Sequence, residues 1–178
     1  MTNHSAHIVK TSSASHACGP SHGPSPMNSL ATWWWRAHSP RTSSSPGTAA
    51  ALANVGDSRA YLLAATGPQR DRTIQIAEDH LHRNLVAGAA EVPNLSDKLT
   101  RCLDGHPDGR SPDVTLLALA SGDRILLCSD GLSCYGSPEY LHTTLATAQL
   151  AVDRLIASAL TQGGPDVSAI VLHIRDDS

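Results

Sequence analysis

Two carboxylates in this chain stand where apolar runs meet glycine. Asp130 lies in "RILLCSDGLS", residues 124–133, where a strand-like apolar run gives way to Ser-Asp-Gly. Asp166 lies in "GGPDVSAIVL", residues 163–172, between a Gly-Gly-Pro break and a second apolar run. Hard divalent cations such as Mg²⁺ and Mn²⁺ take oxygen ligands on rigid supports. Glycine beside such a ligand lets a cation, its water or a phosphate come close to the backbone. The same residues also suit a plain turn, because Asp before Gly is a common turn pair. Residue types alone leave both readings open.

The elements that must position these carboxylates are legible as punctuation between apolar runs. "TAAALANV" and "RAYLLAA" flank Gly56-Asp57-Ser58, and "VTLLALA" and "RILLCS" flank Ser121-Gly122-Asp123. Each is predicted as a hairpin with a tight turn at its tip. "RTIQIA" alternates as a strand does. "EDHLHRNLVAGAA" opens with acids and spaces Leu81, Leu85 and Val86 as a helix does. "LSDKLTRCL" is a short helix or extended piece, and "GHPDGRSPD" is loop. The stretch from Ser137 to Gly164 is the longest helical pattern, stopped by Gly163-Gly164 and Pro165. "VSAIVLHI" closes the chain as a strand. The order β-β-β-α-β-β-α-β predicts an α+β fold with mainly antiparallel sheet.

Composition narrows the function classes. Hydrophobic residues are 40%, aromatics 3%, and Phe is absent, so the core must be built from Leu, Val, Ile and Ala. The net charge of −3 gives no reason to expect a nucleic-acid partner. The first 48 residues hold Lys10, Arg36 and Arg41 and no acid, a charge of +3, which leaves −6 on the remainder. Asp57 is the first acid of the chain. No run approaches the roughly eighteen apolar residues of a membrane span. No apolar block marks a secretory leader, and the four cysteines form no CxxC pair. A cytoplasmic protein with no membrane partner is the expectation. Residues 1–47 are rich in Ser, Pro, Gly and His and are predicted to lack regular structure. Trp33-Trp34-Trp35 interrupts them and reads as a sticky cluster or a short docking segment.

The wording of the ordered part carries a resemblance. "ANVGDSRAYLL", "AEDHLHRNL", "LTRCLDGHPDGRSPDV", "GDRILLCSDGLS" and "GGPDVSAIVL", in this order, resemble the metal-dependent PPM (protein phosphatase 2C) family over residues 49–175. The resemblance implies an antiparallel β-sandwich flanked by helices, an α-β-β-α arrangement, with the domain spanning residues 48–176. It implies hydrolysis of phosphoserine and phosphothreonine in protein substrates at a two-metal Mg²⁺ or Mn²⁺ centre. It implies that Asp130 and Asp166 are metal ligands.

The departures from the family pattern matter equally. The family carries an Asn-Glu-Asp stretch and an Asp-Gly-x-Gly-Gly loop before the Gly-Asp-Ser-Arg turn. With no acid before Asp57, neither occurs here. The family's Asp-Asn after the glycine pair is Asp166-Val167 in this chain. The phosphate-contacting Arg of the family matches neither Arg36 nor Arg41. Asp104 and Asp108 read as turn residues, Asp57 and Arg59 as stabilisers of a hairpin, and His80 and His106 as surface or loop residues. Ser129 reads as a structural hydroxyl. The domain is therefore expected to be incomplete on its N-terminal side, with sheet surface open to a covering partner and with impaired hydrolysis. The alternative expectation is a non-catalytic phosphoprotein-binding or regulatory module.

Overall fold

The computed structural model describes residues 3–14, 48–70, 72–81, 84, 99–101, 111–136, 140–141, 151–164 and 167–177. The strands are β1 (Asn3–Ala14), β2 (Thr48–Asn54), β3 (Arg59–Leu63), β4 (Thr73–Gln75), β5 (Asp113–Leu119), β6 (Arg124–Cys128) and β7 (Val167–Asp177). The helices are α1 (Asp130–Ser133) and α2 (Ala151–Thr161).

Five strands form one antiparallel sheet in the order β1-β7-β6-β3-β4, and β2 and β5 form a second. Strand alternation divides the core. Tyr61, Leu63, Leu126, Cys128, Val167, Ala169 and Val171 face the helices, where Leu132, Val152, Leu155, Ile156 and Ala159 meet them. Ala60, Ile125, Leu127, Leu172 and Ile174 point the other way, onto Ala50, Leu52 and Leu119 of the second sheet. The first sheet is thus apolar on both faces, which explains why its strands read as unbroken apolar runs.

This arrangement corrects the hairpin expectation. Gly56–Ser58 and Ser121–Asp123 are tight turns, but neither joins paired strands. β2 pairs with β5, and β3 pairs with β6. Each turn therefore carries the chain from one sheet to the other, so strands adjacent in sequence face each other across the sandwich. Gly56 and Gly122 have φ of 103° and 92°, in the left-handed region that favours glycine. Asp123 secures the second turn. Its buried carboxylate accepts from the backbone N–H of Ala65 and of Ala120, both at 2.8 Å.

A second correction concerns residues 1–47. Asn3–Ala14 is a strand, paired antiparallel with β7 from Asn3↔Asp177 to Ala14↔Val167, with a register shift between Ile8 and Lys10. Sheet edges recruit backbone by their unpaired N–H and C=O groups, and this needs no periodic apolar face. No proline occurs before Pro20, and Ile8, Val9 and Thr11 are β-branched. Residues 15–47 lie outside the described residues. The helix expected from Glu78 also fails at its start, since Glu78–His80 are irregular and Leu81 makes an isolated bridge to Leu99. Most of the remainder, with "LSDKLTRCL" and "GHPDG", lies outside the described residues.

The helix stop is as expected. Gly163 has φ of 90°, and Gly164 N–H donates to Ala159 O at 2.9 Å. No described helix is long and apolar enough to cross a membrane.

Candidate active site

Three strand ends converge beside Asp130. The last β3–β6 pair is Arg59↔Cys128, and Cys128 also pairs with Ala169 of β7. Asp57 and Asp130 each stand two residues beyond that pair, at the same end of the same two strands. Asp166 directly precedes Val167, the first residue of β7, and its own position lies outside the described residues.

Ser129 fixes the junction. Its N–H donates to Ser168 O and its Oγ accepts from Ser168 N–H, both at 3.0 Å. Ser129 also occupies the N-cap position of α1, yet its hydroxyl makes no cap bond there, because β7 holds it. The expectation of a structural hydroxyl fits this geometry. Asp130 then opens the single turn of α1, with Oδ1 accepting from Gly131 N–H at 2.9 Å. The end of α2 closes on the same turn. A Cβ on Gly164 would stand 2.6 Å from Gly131 O, so only glycine permits this approach.

Asp57 is the residue that sequence reasoning favoured as a hairpin stabiliser over a functional group. Burial pushes its carboxyl above the ordinary value, and the charges of Asp130 and Asp79 push it further, while Arg59 and a backbone hydrogen bond oppose them. Asp57 and Asp130 are therefore close enough to repel each other. The available signal was weak: an acid in the turn entering a strand whose neighbour also ends in Asp-Gly.

Arg59 is not a simple hairpin stabiliser. Its Nε and Nη2 grip the carboxylate of buried Asp79, with Nη2–Oδ2 at 2.6 Å, and Asp79 raises the guanidinium's pKa. His80 is buried, not a surface residue. Gly56 N–H donates to its Nδ1 at 3.1 Å, and Nε2 lies 2.9 Å from Asp113 Oδ2. Both ring nitrogens are engaged, so neither is free to shuttle protons. Together Arg59–Asp79 and Gly56–His80 hold the turn that presents Asp57. Asp104, Asp108 and His106 lie outside the described residues.

The donor set can be tested against the implied metal centre. Asp57 and Asp130 supply hard oxygen donors, and a cation between them would relieve their repulsion. Two bridged cations need more ligands, and among the described residues no group of three His, Cys, Asp or Glu side chains gathers. The described residues thus do not by themselves assemble the bridged pair that the resemblance implies.

No protein-family model matches the chain. The serine/threonine protein phosphatase PstP of Mycobacterium tuberculosis is 36% identical over 136 residues, covering 70% of this chain and 25% of that protein. The serine/threonine phosphatase stp of Listeria innocua is 31% identical over 135 residues, covering 70% of this chain and 51% of that one. The crystal structure of the catalytic domain of PstP in complex with two manganese ions superposes with a TM-score of 0.58 at 31% identity, covering 73% of this chain and 60% of that structure. The chain spans between a quarter and about half the length of these curated relatives. Over about 70% of its length it is homologous to the PPM-type serine/threonine phosphatases.

Proposed function

We propose, from this homology, that the chain is a PPM-type serine/threonine phosphatase module that carries part of the metal centre and hydrolyses phosphoprotein weakly by itself. The observation that carries the reading is the meeting of Asp57 and Asp130 at one strand junction, on the motifs that match the phosphatases. In this reading Asp130 and Asp166 ligate Mg²⁺ or Mn²⁺, and Asp57 stands beside them. A bound cation would offset phosphate charge and lower the pKa of its water. The protein's own contribution is rigid placement: Ser129–Ser168 holds the ends of β6 and β7, and Gly56–His80 holds the turn bearing Asp57.

Weak turnover follows from the donor count. Residues 1–56 contain no carboxylate, and each missing carboxylate removes charge that would offset dehydration of the cation. The test is Mn²⁺-dependent hydrolysis of p-nitrophenyl phosphate and of a phosphothreonine peptide by the purified chain. The expected rate is low and falls to background in Asp130→Ala. Robust Mn²⁺-stimulated turnover, abolished by Asp130→Ala, would contradict the reading.

The second reading, a non-catalytic phosphoprotein-binding module, is favoured by the same donor count. Phosphothreonine-peptide binding without turnover would select it.

A further inference from the structure

Two arginines share one sheet face at the end opposite Asp130. Arg124 opens β6, and its register partner on β7 is His173. Arg175 follows two residues along β7. Strand alternation sets all three on the face that carries Leu126, Cys128, Ala169 and Val171, the helix side. Arg124 and Arg175 are therefore diagonal neighbours on adjacent strands, a separation of about 7–8 Å. Cys128, at the Asp130 end of β6, is roughly 13 Å from Arg124 at about 3.3 Å per residue.

The partners of these groups are unusual for the molecule. Arg124 is half-buried, and its enclosed Nε has no hydrogen-bond partner. Burial holds its guanidinium below the usual pKa, and the nearby charge of Arg175 adds to that effect. Arg175 is exposed, and its Nε donates to His173 Nδ1 at 3.3 Å, which turns the guanidinium back toward the row that holds Arg124. Among the described residues no carboxylate pairs with either arginine. Asp123, the chain neighbour of Arg124, instead accepts from the N–H groups of Ala65 and Ala120. By contrast Arg59 holds Asp79, and Arg101 holds Asp113.

Like charges on neighbouring strand positions destabilise a sheet. Two guanidiniums set together without a carboxylate leave a place where a bound anion supplies the missing charge. A guanidinium is a rigid planar fork that matches the oxygens of phosphate or carboxylate. Two forks on diagonal positions approach from two directions, which suits a tetrahedral oxyanion with several acceptor oxygens better than a flat carboxylate. We propose that Arg124 and Arg175 form a binding site for a phosphate-class oxyanion, with His173 orienting Arg175. The site is separate from Asp57 and Asp130 and needs no metal. The chain's net charge of −3 gives no general attraction for anions, so binding reports this local pair.

The test is titration of the full chain with inorganic phosphate in chelator, followed by calorimetry and by the change in Tm. Chelator removes any metal, so the outcome is independent of the proposed hydrolysis. One phosphate per chain is expected, with a rise in Tm. Arg124→Gln and Arg175→Gln should each weaken binding about ten-fold or more, the worth of a hydrogen bond to a charged group. Arg175 is exposed, so Arg175→Gln keeps the test decisive if Arg124→Gln disturbs folding. Arg72→Gln, at an exposed position before β4, should leave binding unchanged. A phosphothreonine peptide and its unphosphorylated form identify the source of the anion. Tighter binding of the phosphopeptide than of phosphate would assign the site to a phosphoryl group on a protein, and no tighter binding would assign it to free phosphate. No phosphate binding in chelator, binding that survives both Arg124→Gln and Arg175→Gln, or equal weakening in Arg72→Gln would each overturn the inference.

Discussion

Ser129 and Ser168 hold each other by two hydrogen bonds, backbone to backbone and backbone to hydroxyl, each 3.0 Å long. They join the end of β6 to the start of β7 immediately before Asp130 and two residues after Asp166. Ser129→Ala leaves the Ser168 N–H without its acceptor in a partly buried setting. It should lower stability by about 1–3 kcal/mol in urea titration. Ser129→Thr, which keeps the oxygen, should lose less.

Arg59 and Asp79 form a pair in which the carboxylate is nearly fully buried. Removing the cation takes away the buried carboxylate's bidentate counter-ion and leaves it the weaker hydrogen bond from Gln75 Nε2 at 3.2 Å. Arg59→Ala should cost about 3–5 kcal/mol, whereas replacing both residues with apolar ones should cost less than Arg59→Ala alone. A double-mutant cycle by chemical denaturation checks this. Equal losses in the single and double variants would show that the pair contributes nothing specific.

Asp57 supplies the pH dependence. Its folded-state value is raised above the unfolded 3.8, so the folded state binds the proton more tightly. Stability from this group is therefore highest below 3.8, falls as pH rises through the folded value, and stays reduced above it. In chelator at pH 7, Asp57→Asn should raise Tm, and the gain should vanish at pH below 3.8. A Tm that drops at pH 7 would show that the repulsion from Asp130 is already compensated.

Gly164 tests the closeness of α2 to the Asp130 turn. Gly164→Ala places a Cβ 2.6 Å from Gly131 O and 3.0 Å from Ala159 O, both backbone atoms that cannot swing aside. The variant should lose at least 1–2 kcal/mol, in the range of about 1–3 kcal/mol typical of overpacking. Gly163→Ala, with open space but φ of 90°, should lose about 1 kcal/mol from backbone strain alone.

The parts legible in the sequence are those set by local chemistry. The turns at Gly56–Ser58 and Ser121–Asp123 and the stop at Gly163-Gly164 follow from what glycine permits. Strand pairing was not legible, because a turn residue bends the chain equally well into a hairpin or across to another sheet. The partnership of Asp79 with Arg59 and of His80 with Gly56 was hidden for a related reason. Acids before an apolar pattern look like a helix start, and contacts 20 and 24 residues away leave no local mark. β1 was missed because edge pairing uses backbone groups that every non-proline residue carries. At the candidate site, Asp130 was marked by its strand-end glycine, whereas the approach of Asp57 depended on the β3–β6 register.

The central claim of the proposed function is that the chain carries part of a metal centre. The most direct measurement is titration of the full chain with Mn²⁺, followed by calorimetry and electron paramagnetic resonance. The expected result is at most one weakly bound, magnetically isolated Mn²⁺ per chain, lost in Asp130→Asn. Two tightly bound, spin-coupled ions per chain would contradict the account.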